Sequence, residues 1–92
     1  MQEILSEKLS DLADFLTSIC KDDKKKNSIN ESMRDMSLSK MMLFINFLDE
    51  EKIDGQIKDF IKLYSLDDSK GNKDHIKDYI LYFIKVKNIL NK

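Results

Sequence analysis

The stretch QEILSEKLSDLADFLTSIC, residues 2–20, decides the fold class of this chain. Its large aliphatic side chains recur at alternating spacings of 4 and 3 residues, the period that places side chains on one face of an α-helix. Acidic and hydroxyl side chains fill the opposite positions. The apolar positions of the stripe are Leu5, Leu9, Leu12, Leu16 and Ile19. We therefore predict an amphipathic helix over residues 2–20, buried on one side and hydrated on the other.

The segment after this helix changes character. Residues 21–27, KDDKKKN, interrupt the apolar pattern and are predicted to be a charged connector. Ser28 precedes Glu31 by three residues, which is the spacing of a capping box at the start of a helix. Ile29, Met33 and Met36 follow at helical spacing. We expect a short helix of about two turns at this point.

A second strong stripe lies between residues 38 and 49. Leu38, Met41, Met42, Ile45 and Leu48 recur at helical spacing. A serine at position 37 or 39 is a candidate helix N-cap or bend. The sequence leaves open whether residues 29–48 form one kinked helix or two helices.

Two more helices complete the pattern. Apolar side chains at i, i+4, i+7, i+8 and i+11 predict a helix over residues 53–64, with Asp49 as a candidate N-cap. Gly55 allows either a turn at Asp54-Gly55 or a glycine within the helix, at a cost of about 1 kcal/mol. Residues 66–73 are predicted to be a loop, and residues 74–90 the last helix.

The composition supports the same class. The chain has no proline, two glycines and only one valine and one threonine, although turn-rich β-folds draw on proline, glycine and β-branched residues. We predict one all-α domain over residues 1–92. Its expected architecture is a compact bundle of four main helices, mostly antiparallel, with one short extra helix before the second.

The sequence gives little support for nucleophilic catalysis. A nucleophile needs a base beside it, and His75 and Cys20 are the only histidine and the only cysteine. The predicted helix ends that carry them could approach each other. A surface histidine and a half-buried thiol are the favoured interpretation.

Metal and cofactor binding have no motif either. When Gly71 is aligned with the glycine of a calcium-binding loop, Leu66 takes the first ligand position and Lys70 the fifth. Leucine offers no oxygen and an ammonium repels the ion. We expect a protein that is not an enzyme, has no catalytic residues, and binds no metal and no cofactor.

The composition also indicates the cellular location of the protein and the classes of partner that it can bind. A single cysteine forms no internal disulfide, which favours a reducing, cytoplasmic setting for a soluble protein. The longest apolar runs are far shorter than the ~20 residues of a membrane span, so none is expected. Charges nearly balance, with 16 basic and 17 acidic residues, and Arg34 is the only arginine. Nucleic-acid binding through lysine-rich surfaces is therefore the less favoured alternative function.

The most informative feature of the sequence is an excess of apolar side chains in two of the predicted helices. In the last helix and in the helix over residues 38–49, large apolar side chains also lie off the main stripe, and a helix that is apolar on all sides is normally buried on several. Either other helices cover these positions or they bind a partner protein or a second copy of the chain. The sequence predicts a non-catalytic protein–protein interaction module, acting as an adaptor, inhibitor or immunity-type factor. Its candidate interface residues are Phe44, Phe47, Leu81, Tyr82 and Ile89.

Overall fold

The computed structural model describes residues 2–91 of the chain. It consists of five α-helices and one short 3-10 turn, and residues 2–91 contain no β-strand, so the all-α class is confirmed. The helices are α1 (Gln2–Ile19), α2 (Asp23–Met33), α3 (Leu38–Phe47), α4 (Ile53–Tyr64) and α5 (Lys70–Leu90), and the 3-10 turn spans Glu50–Lys52.

Helix α1 follows the predicted pattern. Its leucine stripe is buried, together with Ala13, while Glu3, Glu7 and Asp11 are exposed on the other side. A residue that projects from the stripe every three to four positions meets the core at each turn. The stripe therefore supplies one wall of the hydrophobic core.

Helix α2 begins earlier than predicted, within the segment that was expected to be a charged connector. The chain is already helical from Asp23, because Asp22 is extended and its carboxylate accepts a hydrogen bond from the Lys24 N–H at 2.9 Å. Ser28 consequently lies in the middle of α2 and caps nothing. The predicted start was wrong because a helix turn with no apolar side chain leaves no periodic signal.

Two separate helices occupy the segment over residues 29–48. Helix α2 ends at Met33, Asp35 has a left-handed backbone with φ 56°, and Ser37 accepts a hydrogen bond from the Lys40 N–H as the N-cap of α3. The left-handed residue turns the chain. The serine cap then restarts the helix.

The observed starts of the last two helices differ from the predicted starts by a few residues at most. Asp49 caps the 3-10 turn that leads into α4, and Gly55 lies within α4 and not in a turn. Helix α5 begins at Lys70, four residues before the predicted start, because Ser69 acts as its N-cap. The predicted loop over residues 66–73 is thus shorter than expected.

Contacts between named side chains give the directions of the helices. Lys8 faces Tyr82 while Phe15 faces His75, so α1 and α5 are antiparallel. Phe44 contacts Phe83, and the Lys87 ammonium donates to the Leu48 carbonyl, so α3 and α5 run in the same sense.

The division into four main helices and one short one is not confirmed. Helix α2, expected as the short element, has 11 residues, and α3 has 10. The core lies between all five helices, and each of them contributes buried side chains to it.

Candidate functional site

Within residues 2–91, the Cys20 thiol and the His75 ring form no hydrogen bond with each other. The Cys20 thiol is buried and donates to the carbonyls of Tyr64, at 3.1 Å, and Asp22, at 3.2 Å. His75 is exposed, and its ring centroid lies 4.2 Å from that of Phe15. The thiol fastens the end of α1 to the end of α4, and the imidazole belongs to an aromatic cluster between α1 and α5.

Two further features bear on function. In the described part of the chain, no three histidine, cysteine or acidic side chains are grouped as a metal ion requires. No helix within residues 2–91 combines the length and apolar character needed to cross a membrane.

The predicted interface residues of α3 lie in different environments. Phe44 is half-buried, with its ring centroid 6.2 Å from Phe60 and 5.9 Å from Phe83. Its neighbour three positions later, Phe47, is 61% exposed. Phe44 therefore packs against the core, and Phe47 presents its ring to solvent.

The three predicted residues of α5 also separate. Leu81 is half-buried and Ile89 exposed, and both line a shallow groove of about 390 Å³ that includes Glu50. Tyr82 is half-buried and turns toward α1, where it contacts Lys8. The five predicted residues therefore do not form one continuous surface.

The three most exposed large apolar side chains within residues 2–91 lie on α3 and α4. Leu43 is 71% exposed and lies one helical turn before Phe47 on the same face of α3. Phe47 shares a cavity of about 480 Å³ with Asp59 of α4. Leu63, one turn after Asp59, is 59% exposed. We call Leu43, Phe47 and Leu63 the α3–α4 ridge.

Two contacts give the direction of α3 relative to α4. Phe44 contacts Phe60, while Gln56 hydrogen-bonds the backbone at Phe47. Positions earlier in α3 thus face positions later in α4. Leu43 and Leu63 consequently lie toward the same end of the helix pair.

The end of α3 that carries Phe47 is held firmly. The buried Gln56 amide donates to the Phe47 carbonyl at 2.9 Å and accepts from the Asp49 N–H at 3.1 Å. The Lys87 ammonium donates to the Leu48 carbonyl at 3.0 Å. These bonds satisfy backbone groups that a helix end leaves free, and the ammonium complements the negative end of the helix dipole.

The sequence prediction missed Leu43 and Leu63. A signal for Leu43 was present, because it precedes Phe47 by one helical turn and so shares its face. No comparable signal identified Leu63. Its exposure depends on which side of α4 the neighbouring helices cover.

A second feature is the cleft between α1 and α5, with a volume of about 300 Å³. The Lys8 ammonium lies 4.7 Å from the ring centroid of Tyr82 and 5.8 Å from that of Tyr79, within the range of a cation–π contact. Both tyrosines project from one face of α5. His75 and Asp78 complete the lining, and we call this the Lys8 cleft.

Negative charge surrounds the Lys8 cleft. Burial raises the pKa of the Tyr79 phenol above its usual value of 10.0, and the nearby carboxylates of Asp11 and Asp14 raise it further. Asp14 is also paired with Arg34 of α2. Asp11 and Asp78 therefore place negative charge near the rings, whereas the charge of Asp14 is offset by Arg34.

A third cleft, of about 300 Å³, is rich in lysine. Lys77 lies 3.8 Å from Asp54 across its rim. The charged side chains that line it are Lys58, Lys70, Lys73, Lys77, Asp54 and Asp74. The lining thus carries a small excess of positive charge.

Comparison with known proteins adds no relative. No protein-family model matches the chain, and neither the curated proteins nor the solved structures contain a significant match.

Proposed function

We propose that this protein is a non-catalytic protein-binding module, an adaptor, inhibitor or immunity-type factor, that contacts its partner through the α3–α4 ridge. The observation that carries the proposal is the exposure of Leu43 and Phe47, one turn apart on one helix face. Single exposed apolar residues are common on protein surfaces and need no explanation. Two large ones on successive turns of α3 make an apolar surface of the kind that partner proteins cover, and Leu63 of α4 is similarly exposed.

The rigidity of this surface supports the proposal. Gln56 and Lys87 hold the end of α3 through the carbonyls of Phe47 and Leu48. An interface whose backbone is already fixed loses less conformational entropy when it binds. Phe47 is therefore the side chain expected to contribute most to binding.

The test compares partner capture by two forms of the chain. Immobilised wild-type protein should retain a protein from its native host that a Leu43→Ser/Phe47→Ser variant releases, with affinity at least tenfold lower, since a buried aromatic anchor contributes about 2 kcal/mol or more. Ile4→Ser, which also replaces an exposed apolar side chain by serine, at a position 56% exposed on α1, is the control. Equal retention by all three proteins would contradict the proposal.

Self-association is the other form that binding through this ridge could take. Light scattering on purified wild type and the double variant separates the two cases. A dimer that dissociates in the double variant would identify the partner as a second copy of the chain.

The lone thiol, Cys20, supports our further proposal of a cytoplasmic location, because one cysteine forms no internal disulfide.

The lysine-rich cleft favours a second candidate function, nucleic-acid binding. Four lysines line it, against two aspartates, one of which pairs with Lys77. Phosphate contacts release counterions, so affinity for bulk DNA or RNA would fall steeply between low and moderate salt. A Lys70→Gln/Lys73→Gln variant would flatten that dependence. Failure to bind at low salt would eliminate this candidate.

A further inference from the structure

We propose that the Lys8 cleft is a binding site for an organic cation, such as the alkylammonium group of a ligand, which displaces the Lys8 ammonium from the two tyrosine rings. This site lies between α1 and α5 and is independent of the α3–α4 ridge. The juxtaposition that carries the inference is an ammonium already seated over Tyr82 and Tyr79, in a cleft lined by Asp78.

The rings provide the recognition surface. Tyr79 and Tyr82 are three residues apart on α5, so their side chains are neighbours and face α1 together. The negative faces of aromatic rings attract a cation within about 6 Å of the centroid, and tyrosine is among the better partners. Both distances from Lys8 fall within that limit.

The surrounding charges select the sign of the ligand. Asp78 lines the cleft, and Asp11 lies close enough to Tyr79 to oppose ionisation of its phenol. Carboxylates next to aromatic rings repel phosphate and carboxylate ligands and attract ammonium groups. Lys8 is the one lysine in the lining of the cleft, and the lining holds no arginine.

Lys8 is a displaceable occupant. It is half-buried, and within residues 2–91 its ammonium makes no salt bridge or hydrogen bond to another side chain. A flexible lysine side chain that is held only by ring contacts can swing into solvent when a second cation takes its place. Ligand binding and the Lys8–tyrosine contact are therefore in competition.

The probe is tetramethylammonium chloride, titrated into the full chain and followed by NMR shifts of the aromatic protons. We expect saturable shifts of Tyr79, Tyr82 and His75. Neopentanol, which has nearly the same shape without the charge, should produce none beyond the effect of co-solvent. Potassium chloride at equal ionic strength controls for screening.

Variants of the cleft distinguish cation recognition from simple ring exposure. Lys8→Met removes the resident ammonium and should tighten tetramethylammonium binding about fivefold, the equivalent of ~1 kcal/mol for one exposed cation–π contact. Tyr82→Leu should weaken it at least fivefold, and Tyr82→Phe, which keeps the ring, should retain it. Leu43→Ser/Phe47→Ser should leave it unchanged, since those residues lie outside the cleft.

Three results would overturn the inference. One is the absence of saturable shifts in both wild type and Lys8→Met. Another is equal shifts with neopentanol. The third is unchanged or weaker binding by Lys8→Met, a variant whose melting temperature verifies that it is folded.

Discussion

Helices α1 and α3 both bury an apolar stripe, but they differ in what they present to solvent. The outer side of α1 is acidic, with Glu3, Glu7 and Asp11 exposed. The outer side of α3 presents Leu43 and Phe47. Packing of the core accounts for the α1 stripe and leaves one large apolar side chain of α1, Ile4, exposed, whereas α3 leaves three exposed: Leu38, Leu43 and Phe47. The difference separates side chains that stabilise the fold from side chains available for binding.

The largest loss of stability is expected from a change in the α1 stripe, and it tests the comparison of the two helices most directly. Leu9→Ala should destabilise the protein by about 2–5 kcal/mol, because it removes a buried side chain and leaves a cavity. The melting temperature should fall by at least about 10 °C in a protein of this size. Ile4→Ala, the exposed control on the same helix, should change it little. Equal effects of the two changes would show that the stripe does not form the core.

A smaller effect is expected where α3 is fastened. Gln56→Met keeps the length of the side chain but leaves the Phe47 carbonyl and the Asp49 N–H without their partner. Losing these buried hydrogen bonds should cost about 1–3 kcal/mol, measured by urea denaturation. Asn88→Met, at an exposed amide of α5, is the control. A Gln56→Met variant as stable as wild type would mean that the end of α3 needs no such anchor.

The smallest effect on stability is expected on the α3–α4 ridge. Leu43→Ala should alter the free energy of unfolding by no more than about 0.5 kcal/mol, because the side chain is mostly in water in the native state as well. Met41→Ala, two residues earlier and buried, should cost about 2–5 kcal/mol. If Leu43→Ala were as costly as Met41→Ala, Leu43 would belong to the core and the ridge would lose its most exposed member.

Sequence patterns predicted α1 well and the start of α2 poorly, for a physical reason. The stripe of α1 is a repeated local signal, and each leucine in it is buried. The first turn of α2 is DKKK, which carries no apolar side chain, and its stability comes from the Asp22 cap and from neighbouring helices. Intrinsic propensity is a weak guide where tertiary packing and capping supply the stability.

Sequence periodicity was also a weak guide to which apolar side chains of α3 are exposed. Phe44 and Phe47 both lie off the main stripe of α3, and the periodicity ranks them alike. In the fold, Phe60 and Phe83 cover Phe44, while nothing in residues 2–91 covers more than part of Phe47. The side chains that surround each phenylalanine in the fold, and not its spacing in the sequence, therefore decide whether it is buried or exposed.

The sequence by itself determined the helical class and the buried leucines of α1, because both follow from a 3.6-residue period within one segment. Tertiary structure decided which helices are neighbours, that α3 runs in the same sense as α5, and that Lys8 lies over Tyr82. These outcomes depend on contacts between residues far apart in the chain. Local periodicity carries no information about which of several similar apolar faces will meet.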